Sequence, residues 1–163
     1  MSAGIFRPGM RGYFIPFGAG LALAVSAFLP WVVVDGVGRP GFPDVVGLWI
    51  AGLGVLAAVL AMLSLITRRN SRHPLLVVGL AALGIMFLTW RIMPRLAGEQ
   101  ALTRSQALAI VEDTAPGPAP ITLVGSGIYL GLAAAAVLVG FGLTIVVRRV
   151  STPYALADPN DDV

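Results

Sequence analysis

Four long apolar stretches, separated by polar ones, organise the chain. Tyr13 to Val34 carries no charged residue, and neither do Val45 to Ile66, Leu75 to Trp90 or Ile121 to Val147. The third reaches Met93 if Arg91 snorkels toward an interface. A bilayer core takes about 20 apolar residues in helical form, so each stretch can span. Transmembrane strands are about 10 residues long and alternate in polarity, which none of these stretches does. The pattern predicts an all-α polytopic membrane protein. It is expected to be an antiparallel four-helix transmembrane bundle with spans over 13–34, 45–66, 75–93 and 121–147. One domain covers 1–150, and 151–163 is a polar tail. The first stretch is longer than a secretory h-region and reads as a retained span.

The loops differ. Asp35 to Asp44 holds Gly36, Gly38, Pro40, Gly41 and Pro43, and reads as a tight, turn-rich link. The segment from Pro94 to Pro120 is long. Within it Thr103-Arg104-Ser105-Gln106 has the form of a capping box. Leu108, Ile110 and Val111 follow, and Pro116-Gly117-Pro118 stops a helix. A short separate helix over about 104–113, lying on the outer surface, is expected.

Arginine placement sets the threading. Four spans put both termini and the middle loop on one side, with Arg7, Arg11, Arg68, Arg69, Arg72, Arg148 and Arg149. The positive-inside rule makes that side cytoplasmic. Arg68, Arg69, Arg72, Arg148 and Arg149 are then placed to meet lipid headgroups, or serve only as the topology signal. Trp31, Trp49, Trp90 and Tyr129 all fall at the opposite, outer interface, where amphipathic rings prefer to sit. Arg91 beside them snorkels to phosphates or pairs with Asp35 or Asp44.

The second and fourth stretches resemble one another. Gly47-Leu48-Trp49-Ile50-Ala51 matches Gly127-Ile128-Tyr129-Leu130-Gly131, and each stretch ends in a double arginine at the same offset. The chain is either two repeated helical hairpins or a set of helices whose shared interfaces demand the same residues.

Composition sharpens the picture mainly by exclusion. Hydrophobic residues make up 57% of the 163 and charged residues 12%, and the mean hydropathy is +0.88. Soluble domains are about 25% charged. There is no cysteine and no lysine, and His73, in the middle loop, is the one histidine. Thiolate chemistry, Schiff bases and P-loop lysines are therefore excluded. The spans contain no Asp, Glu, His, Asn or Gln, the groups through which intramembrane sites usually act. His73, beside Pro74 and the arginines, reads as a solvated or headgroup-facing residue, not a haem ligand. Gly125-Ser126-Gly127 lacks the nucleophile-elbow spacing. No enzyme, cofactor, metal or nucleic-acid role is expected. Pigments or quinone would enter only through partner subunits.

The spans do carry small residues at four-residue steps. These are Gly18, Ala22 and Ser26; Gly47 with Ala51 and Gly54 with Ala58; Gly127, Gly131 and Ala135; and Ala136, Gly140 and Thr144. Such stripes let helices approach closely in lipid.

Leu29-Pro30-Trp31, Gly47-Leu48-Trp49 and Gly127-Ile128-Tyr129-Leu130 resemble the small uncharacterised four-helix membrane proteins of bacteria. That resemblance implies the topology and no activity; the expected location is the bacterial inner membrane, with both termini cytoplasmic. The functional expectation is a non-catalytic accessory or scaffold subunit of a larger membrane assembly, of the respiratory or photosynthetic kind, with lipids and other integral subunits as partners. The alternative is a stand-alone sensor or transporter-like protein with a ligand site under the outer loops.

Overall fold

The computed structural model describes residues 11–67, 72–115 and 117–150. A single 3-10 turn, Arg11–Tyr13, leads into α1 (Phe14–Ser26). Then come β1 (Pro30–Val34), β2 (Val37–Pro40), α2 (Val45–Thr67), α3 (Arg72–Val111), β3 (Thr122–Val124) and α4 (Ser126–Val150). The helices α2, α3 and α4 are long and apolar enough to cross a membrane, while α1 is a shorter apolar helix.

Small residues fill much of the interior, including Ala57, Ala58, Ala61, Ala82 and Ala135, with larger anchors at Leu23, Ile50, Met86 and Leu138. Large apolar side chains such as Phe14, Leu21, Val25, Leu56, Met62 and Leu88 point outward. Such an exterior would be costly in water. In lipid it costs nothing, and close packing of small residues holds the helices instead. The helix α1 packs on both α2 and α4, and α4 packs on α3, while α2 and α3 touch more sparingly.

The fold departs from the all-α expectation. The first apolar stretch is not one helix. It is helical over Phe14–Ser26, about 20 Å, then turns through Ala27–Leu29 into β1. Pro30 cannot continue a helix, and Val32-Val33-Val34 is β-branched. The turn-rich link is a β-hairpin. Asp35 and Gly36, at φ 47° and 82°, form its two-residue turn, and Asp-Gly is favoured where both central residues need positive φ. The strand β1 is central in the order β2-β1-β3. It pairs antiparallel with both neighbours, Val34 opposite Val37 on one side and Thr122 on the other. The fourth stretch also begins as strand, so its helix starts at Ser126 rather than 121.

The separate helix expected over 104–113 does not exist either. The helix α3 runs unbroken for 40 residues, with Pro94 inside it, and 104–111 is its last part. Pro94 removes only its own N–H from the ladder, and the residues that follow are mostly good helix formers. The capping box is not used. Thr103 Oγ1 donates to Glu99 O at 2.8 Å and Ser105 Oγ to Leu102 O at 2.8 Å, both back into the preceding turn. The helix ends instead at Asp113, in the left-handed region with φ 51°. There Thr114 N–H reaches Ala109 O at 2.9 Å, a Schellman-type stop.

Candidate functional site

The registers of the helix pairs place the aromatic residues on a common level. Gly20 faces Ala58 and Gly54 faces Ala24; Gly79 faces Leu138; Gly131 faces Met86 and Ser26. Carried along these antiparallel pairs, the end of α1, Trp49, Trp90 and Tyr129 stand at similar height. Above that level α3 continues for about 30 Å and carries the sheet on its side. Val32, Val34 and Ala97 form a small second core there, backed by Met93 and Ala101.

Trp49, Trp90 and Tyr129 are exposed at this level. Trp31, expected beside them, is not exposed. It is wholly buried and its indole N–H donates to Ser26 O at 2.7 Å. The reason is the turn after α1, which folds the chain back over the bundle. Ser26, also buried, donates its hydroxyl to Leu23 O at 2.6 Å. Gly127 has Trp31 Cδ1, Ser26 O and Leu29 O where a Cβ would go, and Gly41 has the Trp31 indole there. Gly125 lies against the Pro30 carbonyl and gives its N–H to Trp31 O at 2.8 Å. Phe42 N–H closes on Ala27 O at 2.8 Å. The non-helical backbone after α1 is thus satisfied within the protein, the condition for such backbone at membrane depth.

The other small residues divide. Gly47 is buried against the Gly41–Phe42 backbone, Gly131 against Met86, and Ala135 lies in the core. Ala22 and Ala51 are half-buried beside that core. Gly18 and Gly140 face open space. The helices α1 and α2 approach closely at Gly20 and Gly54; Gly54 belongs to the pair read with Ala58, whereas Gly20 lies two residues from Gly18 and Ala22, outside the stripe read on α1.

Arg91 is exposed and Asp35 is engaged elsewhere. Asp35 N–H donates to Ile121 O, and Ile121 N–H donates to Asp35 Oδ1, both at 3.0 Å. This two-way clasp ties the hairpin turn to the approach of β3. His73 is exposed. Arg68, Arg69 and the tail over 151–163 lie outside the described residues, as do the side chains of Arg72, Arg148 and Arg149. Among the described residues no three His, Asp or Glu side chains gather as metal ligands would.

A polar-lined cleft of about 450 Å³ lies between the hairpin and α3. Arg39, Asp44 and Gln100 supply its polar groups, and Val32, Met93 and Leu96 part of its apolar wall. The sequence signal for it was present. Asp35-Gly36 between β-branched runs marks a hairpin, and the hairpin is what sets Arg39 over the helix.

These features define a class: an apolar multi-helix protein with a small sheet packed on one overlong helix. Compared with known protein families, curated proteins and solved structures, the chain matches none.

Proposed function

We propose that the protein is a non-catalytic accessory or scaffold subunit of a larger membrane assembly, presenting its sheet end on the outer, non-cytoplasmic face of the membrane. The observation that carries this reading is the far end of α3. Ile110 is 81% exposed and Val111 82%, with Leu108 also exposed. They stand well above the aromatic level, where lipid would no longer cover them. Ile121 and Leu123, around β3, are also exposed, nearer the Trp90 level, where Gly98 meets Thr122. Apolar residues gathered outside the bilayer mark a protein-binding surface. The orientation rests on the arginine-rich segments at the other end. The alternative, a ligand site under the outer loops, draws its support from the polar cleft, which lies between 39–44 and 93–100 rather than beneath 104–113.

One position tests both halves of the proposal. A cysteine at Ile110 should react with an impermeant maleimide from outside intact cells. A photo-crosslinker there should capture one membrane protein reproducibly, and a Val111→Glu change should abolish the capture. Labelling only after lysis would reverse the orientation. Crosslinks to lipid alone would remove the partner.

A further inference from the structure

The polar cleft does not end at its apolar wall. Met93 and Leu96 also line a second hollow, a groove of about 350 Å³ running along α3 beside α2, with Val46, Ile85, Leu88 and Ile92. The groove follows from the sparing contact of α2 with α3. Its one hydroxyl is already spent, because Thr89 Oγ1 donates to Ile85 O at 2.8 Å. A chamber holding Arg39 and Asp44 thus adjoins, across Met93 and Leu96, an apolar slot that straddles the Trp90 level.

We infer that the two hollows together hold one membrane phospholipid of the phosphoethanolamine class. A free phosphate would use only the chamber, and a partner helix only the slot. An amphiphile uses both, and the groove opens among outward-facing apolar residues such as Leu88 and Ile92, where acyl chains already are. The headgroup class follows from charge. The chamber carries one cation, Arg39, and one anion, Asp44. A guanidinium is well suited to phosphate oxygens, and the carboxylate then faces the ammonium. A phosphoglycerol head would satisfy Arg39 but set a net negative lipid against Asp44. Gln100 adds an amide donor on the α3 wall. This inference is independent of the partner-docking reading, since it uses the α2–α3 side and not the tip of α3.

The test is native mass spectrometry of the full chain released from nanodiscs of equimolar phosphatidylethanolamine and phosphatidylglycerol. One phosphatidylethanolamine per chain should survive release, in several-fold excess over phosphatidylglycerol. Arg39→Ala should weaken retention of both lipids about tenfold, the loss of one charge-assisted contact. Asp44→Asn should abolish the preference while keeping a bound lipid. Ile92→Trp should fill the slot and expel both. Circular dichroism of each variant separates these effects from misfolding, and Arg39 on the exposed β2 is a safe position for substitution. No retained lipid, a preference for phosphatidylglycerol, or retention unchanged in a folded Arg39→Ala protein would overturn the assignment.

Discussion

Glycines hold both helical hairpins together, but they face different surfaces. Between α1 and α2 the contact is backbone on backbone. A Cβ on Gly20 would lie 2.6 Å from Ala58 N and 2.9 Å from Gly54 O. One on Gly54 would strike Ala24 N and come within 2.7 Å of Gly20 O. Between α3 and α4 the contacts are mixed. Gly79 meets Leu138 Cβ and Val139 N, both at 3.0 Å, and Gly142 meets Leu76 Cβ and Cα, while Gly131 meets the tip of Met86. The first interface is a mutual approach with nothing able to give. The second includes one contact, Gly131 with the end of Met86, where the neighbour is flexible and can move. The same four-residue spacing serves both, so spacing alone does not tell a contact that is fixed from one that can adjust.

Three substitutions would break or sharpen this contrast, each followed by reversible unfolding in mixed detergent micelles. The largest effect belongs to Gly54→Leu, which puts a side chain into the α1 backbone. A loss of about 3 kcal/mol or more is expected, at the upper end of overpacking costs. A near-neutral result would mean that α1 and α2 are not in contact there. Next comes Gly131→Ala, whose methyl meets mainly Met86 Cε. Methionine adapts readily, so a loss below about 1 kcal/mol is expected. A cost equal to that of Gly54→Leu would show the second interface to be as unyielding as the first. The smallest change should come from Gly18→Ala, in open space only two residues from Gly20. Replacing glycine in mid-helix should stabilise by about 0.5–1 kcal/mol. Destabilisation would reveal a neighbour at Gly18 that the isolated chain lacks.

How much was legible varies by element. The boundaries of α2 were readable because charge-free length and flanking polar residues agree at both ends. The β1 strand was not, because Pro30-Trp31-Val32-Val33-Val34 continues the apolar run of α1 and hydropathy is blind to a change from helix to strand. Pro30 and the valines were the available warning. The far half of α3 was missed for a different reason. Pro94 looks like an end, and Thr103 looks like a beginning, yet Thr103 bonds back to Glu99 O as an interior residue does. Trp31 reads as a belt residue by position, since it stands near the right height. Only the turn after Ser26 decides that it faces inward. The polar cleft has no contiguous motif, because Arg39, Asp44 and Gln100 come from separate segments.

The central place of β1 has a consequence for synthesis. Its partner β2 follows within a few residues, so that edge can close while the chain is still emerging. Its other edge waits for Thr122–Val124 and for the Asp35 clasp on Ile121, 86 residues downstream. Contacts that distant form late because the intervening chain must first be put in place. During that interval an open strand edge is exposed beside the membrane, and such an edge can pair with the wrong chain. The sheet can close on this edge only after all of α3 has been made. A ribosome stalled before residue 122 would leave a recognisably unfinished molecule, with the open edge as its mark.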